Sequence, residues 1–506
     1  MKKYSKNNLS ISLVHSGLWV FFAIALALAA KVLLRGDQII NLFSAELFGL
    51  KSAFALKIDT ISALMFLMIT LLGAIIGKYS LRYLNGEKRQ VYFYKYLFIT
   101  LTSVSLLVLS NNLIMFFGMW LLSSFGLHKL LLYSPERKLA VAAAWKKFYV
   151  SRLGDIAILF AIVLTYQTFG TFDFSELFIA ANGISHNSQE AYKLSIIGIL
   201  FVLGAMSKSA QFPFHFWLPE TMETPAPISA LMHAGIINAG GFLIIRLSPM
   251  LKHAVTAHFV LTIFGSITAV FGALVMITQN DIKRKLAYST ISQMGVMMVS
   301  CGLGAYSLAL FHIIAHSFYK SHAFLSTGFL VEESKKVKFN HSKPSITFLI
   351  FGALAGYLLI KLGSIYSERQ YIAYFAYTAI LLIGFVQNFD FSQHSFEKIG
   401  IGFFVILFCI LTFSISICYI FESFLHQKLA LLTPMTWGDN ASISLQVIAS
   451  YISYTIFVIG LGLSALLINS KNTFSNKLYI YFWNGGYFSQ RTNSFFNQLT
   501  SKKGAS

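Results

Sequence analysis

Runs of about twenty mostly apolar residues recur along nearly the whole chain, each long enough to cross ~30 Å of hydrocarbon. A bilayer interior offers the backbone no hydrogen-bond partners, so only helices or closed barrels can span it. These runs are too long and too continuous for barrel strands. The expected fold class is therefore all-α, a polytopic transmembrane helical bundle. Composition agrees: of 506 residues, 56% are hydrophobic and only 11% charged, against roughly a quarter charged in a soluble globule.

Spans are expected near 11–34, 58–79, 92–110, 113–133, 148–168, 194–216, 226–248, 252–277, 286–303, 305–331, 345–365, 371–389, 397–421 and 443–468. Lys2, Lys3 and Lys6 precede the first run, which lacks a small-residue cleavage site and reads as an uncleaved span. With the N-terminus inside, the connections Lys78–Lys95, Glu136–Lys147, Asp281–Lys285 and Glu332–Lys343 become cytoplasmic, and all are net basic. The loop 169–193 falls outside and carries Asp173, Glu176 and Glu190 against one lysine. The net charge of +20 is thus spent on short loops, which leaves no extended basic surface for nucleic acid.

Residues 136–148 read as a short interfacial helix with Trp145 at headgroup level. Cys301, Cys409 and Cys418 lie in apolar runs without metal-ligand spacing and read as buried thiols. No nucleotide loop, GxGxxG or CxxC is present, so no cofactor is expected in this chain. The organisation expected is N-terminal helices over 1–112, a core over 113–331, C-terminal helices over 332–468, and a polar and aromatic tail over 469–506 that reads as a surface or docking segment.

Against this apolar background, the stretch from Gly204 to Pro219 stands out, because it places Lys208, Pro213 and Pro219 inside a span. Pro213 cannot donate to the carbonyl of Ser209, nor Pro219 to that of His215, so a broken helix is expected here. A charge at that depth is expensive and marks an ion pathway more readily than an anchor. A lysine snorkelling to the interface is the structural alternative, but Lys208 lies well inside the run. His233 sits two turns into the next span and would reach Lys208 through water if the two helices pack side by side. His312, His316 and Lys320, spaced four and four, fall on one helical stripe and could form a proton wire. Two histidines at that spacing could also bind zinc, but no neighbouring acid or cysteine completes a site.

Asp155 lies one turn into its span with Arg152 at i−3, so a simple local pair competes with a functional role. Asp59 begins another span, while His128, Lys129, Lys361 and Glu422 lie near span ends, where structural roles suffice.

These motifs resemble the proton-conducting antiporter family, which includes the large membrane subunits of NADH-quinone oxidoreductase and the Mrp sodium/proton antiporters. The resemblance covers about 110–331 and rests on Gly204–Pro219, Pro227–Arg246, Asp281–Gly295 and His312–Gly328. It implies antiporter-type inverted repeats, with Lys208 as the broken-helix lysine. His233, His312, His316 and Lys320 would then relay protons toward the membrane centre.

Respiratory members carry a Trp-Glu-Gly motif whose glutamate pairs with that lysine. Here the region reads Gly118-Met-Trp120-Leu-Leu-Ser-Ser-Phe-Gly-Leu-His128-Lys129, without any acid. Asp155 is the first candidate to replace it. Ser123 to His128, Pro135 to Arg137, Lys146 to Asp155, His316 to Ser326 and Leu478 to Tyr487 are similar to the membrane subunits of DAB-type inorganic carbon accumulation systems. That resemblance implies a multi-pass subunit of a bacterial inner membrane that conducts protons or sodium. Its partner would be a cytoplasmic zinc subunit of DabA type, resembling a carbonic anhydrase, and the zinc and the catalysis would reside there. The rivals are a respiratory proton-pumping subunit, a sodium/proton antiporter subunit and a non-transporting scaffold.

Overall fold

The computed structural model describes residues 2–47, 50–184, 189–327, 440–469 and 472–492. Within them, nine helices are long and apolar enough to cross a membrane. They are α1 (Lys2–Arg35), α2 (Thr60–Tyr83), α3 (Gln90–Leu109), α4 (Leu113–Leu131), α5 (Lys138–Phe169), α7 (Gln189–Lys208), the pair α9 (Ala226–Ala234) and α10 (Ala239–Arg246), α12 (Val255–Thr278), and α15 (Asn440–Asn469). α13 (Ile282–Gly302) and α14 (Tyr306–Leu325) pack among them but are less apolar, through the basic start of one and the His/Lys stripe of the other. The expected spans 345–365, 371–389 and 397–421, with Lys361, Glu422, Cys409 and Cys418, lie outside the described residues. Shorter helices are α6 (Phe174–Asn182), α8 (Trp217–Glu220), α11 (Ser248–Leu251) and α16 (Thr473–Trp483).

The structure corrects one expectation and adds one element. First, residues 136–148 are no separate interfacial helix. α5 runs unbroken for 32 residues from Lys138. Leu153, Ile156, Leu159, Phe160 and Val163 form its exposed face, as a lipid-facing stripe would. Lys147, Ser151, Asp155 and Ile158 lie on the opposite, buried face. The charges that read as a loop therefore belong to the first turns of a span, where Lys146 and Lys147 point inward. Second, an antiparallel hairpin of β1 (Gln38–Leu47) and β2 (Leu50–Ile58) connects α1 to α2. Its base joins the helical bundle through a bridge from Leu56 to Ser110.

The predicted break is present, and its freed carbonyls find new partners. α7 stops at Lys208, and Ala210 adopts a left-handed backbone (φ 49°). The carbonyl of Ser209, orphaned by Pro213, accepts a hydrogen bond from Gln211 Nε2 at 2.9 Å. That of His215, orphaned by Pro219, accepts from the backbone of Trp217. A second break, which the sequence did not suggest, separates α9 from α10 at Gly235–Asn238. The two broken helices meet there: Ser209 Oγ donates to the Ile237 carbonyl at 2.6 Å. Gly240 permits the approach, since a Cβ on it would lie 2.4 Å from the Ala205 carbonyl oxygen.

The described part of the tail packs onto the bundle. α16 and the turn after it cover one end of α12 and α13. Gln279 Nε2 donates to the Trp483 carbonyl at 3.1 Å, and Phe482 packs on Phe271. Phe488 reaches the broken helix itself, against Phe212 and His215.

Candidate functional site

Lys208 is buried at the end of α7, against α4 and α5. Its amine lies 3.2 Å from Ser123 Oγ, 3.3 Å from the Trp120 carbonyl oxygen and 4.5 Å from the centre of the Trp120 indole. Among the described residues it makes no ion pair. Its charge is met by a π-face, a carbonyl and a hydroxyl, all of which favour an ammonium without neutralising it. α4 holds these partners because Trp120, Ser123 and Ser124 lie three to four residues apart and share its buried face.

Asp155 reaches Lys208 only through Trp120. The indole Nε1 donates to Asp155 Oδ1 at 2.8 Å, while Arg152 holds Oδ2 at 2.6 Å. The local pair and the functional candidate are thus the same residue, and its link to the lysine is an aromatic bridge. Gly154 lets α5 come this close, because a Cβ there would overlap Ser207 Oγ.

Two further lysines of the cluster escaped the sequence reading. Lys147 is buried, donating to Ser124 Oγ at 2.8 Å and to the Ser124 carbonyl at 3.1 Å. Lys146 grips Glu220 of α8, with its amine 2.5 Å from one carboxylate oxygen and 2.7 Å from the other. The adjacent lysines looked like loop charge. Only a residue-by-residue helical wheel carried back to 138 could have placed them inside. His128 also faces inward, with Nδ1 3.2 Å from the Ala144 carbonyl oxygen. Lys129 lies by Phe125 near the end of α4.

The histidine stripe forms a second cluster. His312, His316 and Lys320 are all buried on one face of α14, with the two imidazole rings 6.1 Å apart. Lys320 donates to the Leu286 carbonyl at 3.0 Å. Both ring nitrogens of His316 are buried without a hydrogen-bond partner among the described residues. His233 belongs here rather than beside Lys208. It lies 3.1 Å from Thr290 Oγ1 through Nδ1 and stacks on Phe324 at 4.3 Å.

Two polar contacts lie between the clusters, where both broken helices meet. Ser209, next to Lys208, bonds the Ile237 carbonyl, and Asn238 Nδ2 donates to Ser317 Oγ at 2.8 Å, one residue from His316. Asn238 was visible in the sequence only as the end of a motif. It gains meaning because the α9–α10 break turns its side chain toward α14. Pro213 and Pro219 lie in the broken stretch and touch the site only by shaping it.

A polytopic bundle with two interrupted helices meeting at buried lysines and histidines defines an antiporter-type membrane subunit. Residues 110–345 match the family described as NADH:quinone oxidoreductase/Mrp antiporter, TM, and residues 45–94 match the N-terminus of chain 5 of NADH-ubiquinone oxidoreductase, complex I. The chain belongs to this antiporter family of membrane subunits. It is 40% identical over 297 residues to the probable inorganic carbon transporter subunit DabB1 of Halothiobacillus neapolitanus, covering 58% of this chain and 53% of that one. It is 36% identical over 309 residues to the chloroplastic NAD(P)H-quinone oxidoreductase subunit 5 of Lolium perenne, covering 61% and 42%. The Mrp complex from Dietzia sp. DQ12-45-1b shares the fold, with a TM-score of 0.57 at 20% identity over 98% of this chain and 57% of the other. The chain spans about half the length of the curated relatives it matches.

Proposed function

We propose that this chain conducts protons, or sodium ions exchanged with them, across a bacterial inner membrane as the membrane subunit of an inorganic carbon accumulation pump. The observation that carries the reading is the setting of Lys208. Its amine rests on Trp120 and Ser123, with Asp155 at one remove, where respiratory relatives are expected to pair it with a glutamate. The similarity to inorganic carbon transporter subunits supports it further.

In this reading Lys208 takes up and releases one proton as its neighbours rearrange. The Ser209–Ile237 and Asn238–Ser317 contacts hold both broken helices in place, and water between them would carry that proton to or from His316, His312 and Lys320. His233 adjoins the far end of that stripe. Asp155 acts through Trp120 and retains a counter-charge when the lysine is loaded. A cytoplasmic partner with a carbonic-anhydrase-like zinc site would use the inward flow to drive CO2 hydration in one direction. The zinc and the carbon chemistry belong to that partner.

Deleting the gene should abolish growth at ambient CO2, with rescue at elevated CO2. Lys208→Ala should stop bicarbonate accumulation without preventing assembly. Unaffected growth on air would overturn the carbon-pump assignment. Loss of NADH-dependent proton pumping, with redox subunits co-purifying, would place the chain in a respiratory complex instead.

A further inference from the structure

Lys147 has no part in the pathway described so far, yet its surroundings are those of a working group. Its side chain is fully enclosed, on the same face of α5 as Asp155. Its amine has only neutral oxygens for partners, the hydroxyl and carbonyl of Ser124. A structural lysine at such a position would be matched with a carboxylate, because an unmatched buried ammonium is strongly disfavoured. An acid is available nearby, but Glu220 is taken by Lys146.

The location adds to the argument. Ser123 and Ser124 are consecutive residues of α4, and each hydroxyl holds one lysine amine: Ser123 that of Lys208, and Ser124 that of Lys147. The charged groups acting on Lys147 are Lys208, Asp155 and Arg152. Two ammonium groups so placed repel each other, and one carboxylate, already held by Arg152, cannot neutralise both. The arrangement is consistent with one shared proton more than with two fixed charges.

We infer that Lys147 is a second buried proton carrier, exchanging a proton with Lys208 across the Ser123–Ser124 step of α4. The exchange balances without a co-reactant. The Lys208 ammonium gives up a proton and becomes a neutral amine, the hydroxyls hand the proton along, and the neutral Lys147 amine becomes the ammonium. Lys147 then stands one residue from the partly exposed Lys146–Glu220 pair, which gives the pathway a route toward the surface that bypasses the histidine stripe. The inference rests on the cation-conducting reading above.

The test uses membrane vesicles from cells producing the full chain together with its native partners. An imposed pH gradient is the probe, and a pH-sensitive dye follows proton flux. Lys147→Met keeps the volume and removes the proton site, and it should lower flux by about tenfold or more at normal membrane abundance. Lys147→Arg keeps a charge that does not dissociate, and it should be equally impaired. Ser124→Ala, which leaves the helix undisturbed, should slow flux severalfold and serves where Lys147→Met does not accumulate. Full flux in Lys147→Met, or in Ser124→Ala where that variant stands in, overturns the inference. Rescue by arginine also overturns it, since a fixed charge would then suffice. Lys208→Met separates the two levels. If it stops flux while Lys147→Met does not, only Lys147 leaves the pathway. If the wild-type chain carries no proton flux, both readings fall.

Discussion

Trp120 is the residue on which the lysine cluster turns. Its ring face receives the Lys208 amine while its N–H binds Asp155, so one side chain couples a buried cation to a buried anion 35 residues away in sequence. Trp120→Phe retains the face and deletes the donor. The carboxylate would lose a hydrogen bond worth about 1.5–3 kcal/mol, as bonds to charged groups are. Proton flux in membrane vesicles should fall severalfold but remain measurable. Trp120→Leu removes both contacts and should bring flux close to that of Lys208→Ala. Equal, undiminished flux in both variants would show the bridge to be incidental. Lys208 itself was legible in the sequence, because a charge in an apolar run has few structural excuses. Trp120 was not, since an aromatic residue in a span is ordinary, and its role depends on which helix faces it.

At the scale of elements, the proline break and the stripe of α14 could be anticipated. Proline removes a known hydrogen bond, and spacing of four residues defines a face on any helix. The second break, at Gly235–Asn238, has no proline to announce it. Its place is set by contact with α7, where Ser209 takes up the Ile237 carbonyl.

The outer ends of α2 and α10 are tied by another contact between distant segments. Arg246 Nη1 meets Asp59 Oδ2 at 2.5 Å, and both side chains are buried. Asp59 also caps α2 through the backbone of Ser62. Without the arginine, the fully buried Asp59 carboxylate would lose its ion-pair partner. Arg246→Met should therefore destabilise the detergent-solubilised protein by about 3–5 kcal/mol near neutral pH. Thermal unfolding of the variant beside wild type checks this.

For the whole molecule, the basic loops and the span order agree on which end of each helix faces the cytoplasm. In the structure the hairpin, α6, Asp59 and Arg246 gather at the opposite end from Glu87, the 132–137 connection and α16. With Cys301, Cys409 and Cys418 first replaced by serine, Asp37→Cys and Glu87→Cys place single reactive groups at exposed positions on the two sides. In intact cells an impermeant thiol reagent should label the first and spare the second, and in inverted vesicles the pattern should reverse. Labelling of both from one side would remove the topology on which the direction of proton flow depends.

The sequence by itself determined the class of this protein: a multi-pass helical bundle, with an expected orientation, a helix broken beside a lysine, and one titratable stripe. Those properties follow from hydropathy, from charge placement and from hydrogen bonds a residue cannot make, all of which are local. Only the tertiary structure decided what surrounds each charge. It seated Lys208 on an indole, moved His233 to the far cluster, turned Lys146 and Lys147 inward and tied the second break to α14 through Asn238. The physical reason is that a buried charge is governed by its nearest few ångströms, and those belong to residues tens of positions away in the chain.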